Sequence, residues 1–230
     1  MMNTDTLITA TDLVVGYTDR PVCSPLTFTV QQGQMLACIG PNGAGKSTLL
    51  RTLTGILPPL DGQCTLMGQR PDPRRSWQRA GLATDMSMAA FFPGLTVSEH
   101  LMMVCLGHGV NDPEQVVEAS LEDFGLETVR DSVPDHLSSG QRSRLALAAV
   151  FCRPRSLIIL DEPESRLDVQ AREDLGERLR DEYECGGGGF IVSHDPALVS
   201  VMATAVLVID EHPRVVSVDE GVHIMRTGLV

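Results

Sequence analysis

The stretch GPNGAGKSTLL, residues 40 to 50, holds Lys46, the only lysine in a chain of 230 residues whose other cationic side chains are all arginine. The residues Gly40, Pro41, Asn42, Gly43, Ala44, Gly45, Lys46, Ser47 and Thr48 spell G-x-x-x-x-G-K-S and a threonine. Glycines at these positions let successive backbone N–H groups turn inward, the N-terminus of a following helix adds a favourable dipole, and the Ser47 hydroxyl can hold Mg²⁺. Such a loop binds the phosphates of a nucleoside triphosphate. Lysine must reach through a tight backbone ring to deliver a compact charge to the β- and γ-phosphates. The planar fork of arginine is too wide for that ring.

A phosphate loop alone leaves kinase, GTPase and transport ATPase open, and two further stretches narrow the choice. LIILDEP, residues 157 to 163, reads as a buried parallel strand that ends in two carboxylates. Asp161 is placed to bind Mg²⁺ through water and Glu162 to accept a proton from an attacking water. HLSSGQRSRLALAAV, residues 136 to 150, places Leu137 to Gln141 before a helix with apolar residues at 145, 147, 148 and 150. Taken alone it reads equally well as an ordinary serine-capped helix.

The elements that must position these groups alternate between strand and helix. GQMLACIG reads as a short apolar strand, KSTLLRTLTG as a helix closed by Gly55 with Pro58 and Pro59 beyond it, and QCTLMGQ as a strand after an Asp61-Gly62 turn. From about residue 87 to 150 the pattern is helical. TVSEHLMMVCL opens on a capping box from Thr96 to Glu99, and DPEQVVEASLEDFG on Asp112 as cap with Pro113 in the first turn. The α/β core resumes at SLIILDEP and continues through the helix DVQAREDLGERLRDEYE. The tetraglycine at 186 to 189 reads as a floppy surface loop, followed by the strand FIVSHD and a strand pair in AVLVIDEHPRVVSV. The fold class is therefore α/β, a helical lobe inserted in one core.

Composition sets the outer bounds. An apolar content of 43% over 230 residues predicts one domain with subdomains. A formal charge of −12 leaves no basic stripe for nucleic acid. Cysteines 23, 38, 64, 105, 152 and 185 stand apart with no C-x-x-C pair, which predicts reduced, mostly buried thiols. The N-terminus has no signal-peptide pattern and no apolar run is long enough to span a bilayer, so the chain is expected to be cytoplasmic and to meet a membrane only through a partner.

Over residues 7 to 218 the chain resembles the ATP-binding cassette (ABC) family of transporter ATPase subunits. LSSGQ resembles the family signature, with Ser139 in place of its first glycine; SRLD, 165 to 168, matches the D-loop; SHD places His194 as the switch histidine; and Tyr17 stands where the family puts an aromatic ring under adenine. The resemblance implies a P-loop NTPase, RecA-like core with an N-terminal antiparallel β subdomain and an inserted helical subdomain. The divisions are 7–86 for the β subdomain and first part of the core, 87–150 for the helical subdomain, 151–218 for the rest of the core and 219–230 for a short tail. It also implies ATP and Mg²⁺ as cofactors and a head-to-tail dimer with itself or a second such subunit. ATP on one subunit's loop would then be covered by Ser138, Gly140 and Gln141 of the other. A glutamine is expected at the start of the helical lobe, touching Mg²⁺ and the attacking water, yet none occurs between Gln78 and Gln115. The strand RAGLATD puts Asp85 there, as a metal contact beside Ser47 and Asp161, whereas counting back from LTVSEHL gives Ser87. The function implied is the ATPase subunit of a transporter on the cytoplasmic face of the inner membrane. Its permease would be a separate chain, and the short C-terminus favours export. The alternative is a soluble ATPase of an assembly machine of the iron–sulfur cluster type.

Overall fold

The computed structural model describes residues 5–86 and 91–228, so Ser87 lies outside the described residues. Half-buried antiparallel strands open the chain, β4 with strict alternation of apolar and polar residues and β1 with the alternation broken by register shifts. β1 (Thr6–Val14) carries a short hairpin of β2 (Gly16–Tyr17) and β3 (Arg20–Pro21), and β4 (Leu26–Gln31) buries Leu26, Phe28 and Val30 while exposing the residues between. β5 (Met35–Ile39) is buried at every position and leads through the 40–45 loop into α1 (Lys46–Leu53). β6 (Asp61–Leu66) then returns to pair with β1, giving a three-stranded antiparallel sheet in the order β4-β1-β6. This is the expected N-terminal β subdomain.

The chain continues through α2 (Ser76–Gly81), β7 (Leu82–Asp85), α3 (Val97–Gly107), α4 (Pro113–Asp123), α5 (Ser139–Phe151), β8 (Leu157–Asp161), α6 (Val169–Glu184), β9 (Gly188–Val192), α7 (Pro196–Met202), β10 (Ala205–Val208), β11 (Arg214–Val216) and α8 (Val218–Thr227). Six strands form the central sheet in the order β11-β10-β5-β9-β8-β7, all parallel except β11. Strands buried on both faces send alternate side chains into two cores. Leu36, Cys38, Leu157, Ile159, Phe190 and Val192 join α1 and the β subdomain on one face. Met35, Ile39, Ile158, Leu160 and Ile191 meet helices α5 to α8 on the other. A third core fills the helical lobe. Helix α5 bridges two of them, since Leu145 and Ala148 face the lobe while Leu147 and Val150 pack on the sheet.

Four expectations need correction. Asp112 adopts a left-handed conformation (φ 51°) and its side chain does not cap α4. The signature is the first turn of α5 rather than a segment before it, with Ser138 as cap. The tetraglycine is only half a turn: Gly188 and Gly189 begin the buried strand β9, and a Cβ on Gly189 would fall 2.2 Å from Met35 Sδ. The stretch after 218 is not a tail but α8, which buries Val222 and Ile224 in the sheet's second core.

Gly221 makes that docking testable. Its Cβ would meet three atoms of the Val206 side chain at 2.7–2.8 Å, and valine's χ1 is too stiff to yield. Alanine raises intrinsic helix stability by about 1 kcal/mol over glycine, but overpacking costs about 1–3 kcal/mol. Gly221→Ala is therefore expected to lower stability in urea unfolding. A gain would mean that α8 is not held against β10.

Candidate functional site

The phosphate loop sits where β5, buried at every position, runs out of sheet to pair with. Gly43 and Gly45 both take positive φ, 85° and 93°, and a Cβ on Gly45 would lie 2.5 Å from Val22 Cγ2, so the turn needs glycine twice over. Gly45 is the N-cap of α1 with no side-chain cap bond, which leaves the first-turn N–H groups of α1 without helical acceptors. Lys46 is only 6% exposed, and its Nζ donates to the carbonyls of Gly40 at 2.7 Å and Pro41 at 3.0 Å. Those bonds hold the lysine inside the loop, the ring expected from the sequence. Burial lowers the Lys46 pKa, and the nearby Cys38, Glu162 and Asp161 oppose that shift.

Beside the loop, the carboxyl end of β8 delivers Asp161, which accepts a hydrogen bond from the Ser47 hydroxyl. Burial raises the Asp161 pKa, and the Ser47 bond partly offsets it. A hydroxyl and a carboxylate side by side are hard oxygen donors of the kind Mg²⁺ takes together with phosphate oxygens. Among the described residues no group of three or more His, Cys, Asp and Glu side chains could hold a metal without such help. The donors present thus fit a metal that arrives with a triphosphate.

Glu162 follows in a left-handed conformation (φ 50°), uncommon for a residue with a side chain, and its N–H donates to Val192 O at 2.9 Å. That bond ties it to the end of β9, the next strand over. Beyond β9 comes His194, whose Nε2 lies 3.2 Å from Glu162 Oε1, both side chains a little under half exposed. Three adjacent strand ends, those of β5, β9 and β8, therefore bring the phosphate loop, His194 and the acidic pair together. Ligands of open parallel sheets bind at this edge.

Tyr17 stands on the β2–β3 hairpin, 45% exposed, with its hydroxyl accepting from Arg51 Nη1 at 2.8 Å. Hydrogen bonds from Thr48 and Arg51 lower its pKa. Its ring is thus fastened to α1 with a face free. The signature residues Ser138 and Gln141 bond to each other at the start of α5. Ser138 accepts from the Gln141 N–H and Gln141 Oε1 from the Ser138 N–H, a capping box that leaves the N-terminus of α5 exposed. Its neighbour within the chain is the D-loop, through the Arg144–Asp168 ion pair and the approach of Gly140 to Arg166 O. Ser139 is exposed, so the extra hydroxymethyl group meets no obstacle in its own chain.

Asp85 is placed differently from the metal contact first expected. It pairs in register with Leu160, one residue before Asp161, so the pleat points it to the opposite face of the sheet from Asp161. There it borders a cavity of about 320 Å³ with Met86, Phe91, His108 and Arg153. Sequence reasoning also missed Glu164, Ser193 and Arg51. Glu164 stands among charged residues and reads as solvated, and only its burial, at 7% exposure, reveals otherwise.

The family profile described as ABC transporter matches residues 23–165. The zinc import ATP-binding protein ZnuC of Marinobacter nauticus is 32% identical over 212 residues, 91% of this chain and 76% of its own length. The SkfA peptide export ATP-binding protein SkfE of Bacillus subtilis is 32% identical over 186 residues, 80% of this chain and 77% of its own. A solved ATP binding subunit of an ABC transporter superposes with a TM-score of 0.85 at 28% identity, covering 97% of this chain and 94% of that one. Matched by the family profile over more than half its length and by relatives at 32% identity over about three quarters of theirs, the chain belongs to the ABC transporter family and is an ATP-binding cassette ATPase.

Proposed function

We propose that the chain drives a separate membrane-spanning partner by closing on a second ATPase subunit around ATP and opening after hydrolysis. The observation that carries this reading is an exposed, capped α5 N-terminus that, among the described residues, bonds only to itself at its tip, alongside a phosphate loop with its acidic pair at the sheet edge. The loop's own residues account for binding. Lys46 supplies a point charge to the β- and γ-phosphates, the first-turn N–H groups of α1 supply donors, and Tyr17 offers a ring to the base. Ser47 and Asp161 would hold Mg²⁺, which when bound would supply neutralisation of phosphate charge. Glu162 takes the proton from the attacking water, and His194 orients the Glu162 carboxylate and reaches the γ-phosphate. Ser138, Gly140 and Gln141 of the other subunit bring a second helix N-terminus and a hydroxyl to the same phosphate, donors that act only on closure.

Among the described residues no helix is long and apolar enough to cross a membrane, so this reading places the span on another chain. The cavity beside Asp85, lined also by Phe91 and His100, with the exposed Phe92 ring 6.2 Å from the His100 ring, is the surface proposed for that permease. Import and export proteins both stand among the relatives. In this reading the permease sets direction and cargo.

Glu162→Gln keeps shape and hydrogen bonding but removes the base. Turnover is expected to fall at least about a hundredfold with ATP affinity retained, and an ATP-dependent dimer to appear on gel filtration. Hydrolysis at the wild-type rate would remove Glu162 from the mechanism. At Asp85 two effects compete. A carboxylate about 5 Å from a phosphate charge would be repelled by about 3 kcal/mol at an effective dielectric near 20, but pleat parity turns Asp85 the other way. Asp85→Gln is accordingly expected to leave the Mg²⁺ dependence of the ATPase rate within about twofold, far below the change such an energy implies. A large shift in the Mg²⁺ requirement would restore Asp85 to the metal.

A further inference from the structure

Glu164 lies between the acidic pair and the D-loop, and nothing in the mechanism above uses it. It is a carboxylate at 7% exposure, and burying such a group is costly unless its oxygens are engaged. Oε1 accepts two hydrogen bonds, from Ser193 Oγ at 2.7 Å and from the His194 N–H at 2.8 Å, while Oε2 has no partner among the described residues. Ser193 is fully buried, and its Oγ in turn accepts from the Asp195 N–H at 3.1 Å. The Asp195 carboxylate caps α7 through Ala197 N and Leu198 N. Residues 193, 194 and 195 are thus each fixed by a bond that begins at Glu164 or ends at the α7 cap.

We propose that Glu164 is a positioning residue for ATP hydrolysis, whose single engaged oxygen clamps the backbone of His194 and so sets the imidazole against Glu162. The proposal rests on the roles of Glu162 and His194 proposed above. The geometry favours such a role over simple packing. An apolar side chain would fill the space without the cost of a buried carboxylate, yet it would leave the Ser193 hydroxyl and the His194 N–H without this acceptor. The clamp also spans the two segments that must agree. Glu164 belongs to the same turn as Glu162, since the Ser165 N–H donates to Glu162 O at 3.0 Å and the Leu167 N–H to Glu164 O at 3.2 Å. Its acceptor oxygen reaches across to the loop after β9. The Glu162 Oε1 to His194 Nε2 contact of 3.2 Å is therefore closed at both ends by one turn of chain.

The test is a set of steady-state ATPase measurements on the full chain, with ATP affinity measured separately by titration. Glu164→Ala is expected to lower kcat by about 10- to 100-fold, the scale of a small misplacement of a reacting group, with ATP affinity and KM little changed. Glu164→Gln keeps an acceptor at the Oε1 position and is expected to stay within about threefold of wild type. In a His194→Ala background the same Glu164→Ala change should add no further loss, because the two act as one unit. Should alanine at 164 unfold the chain, Ser193→Ala, which removes one donor of the clamp, is expected to lower kcat without weakening ATP binding. Wild-type kcat in Glu164→Ala, equal damage in the glutamine variant, or an additive loss in the double variant would overturn the clamp. A His194→Ala variant with unchanged kcat would instead overturn the role of the histidine itself.

Discussion

A buried ammonium must be surrounded by acceptors, and Lys46 meets that demand with the carbonyls of its own loop, Gly40 and Pro41. The rest of the site depends on this arrangement. The loop can fold back over the lysine only if Gly43 and Gly45 take positive φ, and it can start only where a fully buried strand ends. With Gly45 as its N-cap, helix α1 starts without a side-chain cap, so its first-turn N–H groups are left to other acceptors. In the function proposed above, the one lysine among many arginines is a requirement of this geometry. Arginine carries the same charge but no end slim enough to be encircled.

The sheet extends that constraint to the chemistry. Because β5, β9 and β8 are neighbours, their carboxyl ends place Lys46, His194 and Asp161 with Glu162 along one edge. The strained backbone at Glu162 is held by its bond to Val192, so the conformational cost is borne by the sheet. Helix α5 links this rigid edge to the lobe. The same helix packs Leu147 on the sheet, packs Leu145 in the lobe and presents Ser138 at its tip. Movement of the lobe therefore carries the signature with it.

Much of this was legible in the chain. The phosphate loop, the strand ending in Asp161 and Glu162, the capping box at Thr96 and the inserted lobe all follow from patterns within a few residues. What escaped were features set by residues distant in sequence. Gly188 and Gly189 look like a flexible run because the close approach of Leu7 and Met35 is invisible locally. The residues after 218 are weakly apolar as a segment, and their docking depends on a glycine facing Val206. Asp85 occupies the expected position along the chain but the wrong face, since parity is fixed by pairing with β8. Glu164 is hidden by its charged neighbours, and only burial distinguishes it from them.

We propose that the loop selects lysine by shape and reach, not by charge, so that the cation enclosed by the Gly40 and Pro41 carbonyls is the one that meets the phosphates. Calorimetric titration of Lys46→Arg with ATP and Mg²⁺ separates the two. Selection by shape requires a loss of affinity of at least about a hundredfold, or roughly 2.7 kcal/mol, in a protein that unfolds as cooperatively as wild type. Affinity within about threefold of wild type, a difference under 1 kcal/mol, would mean that charge alone suffices.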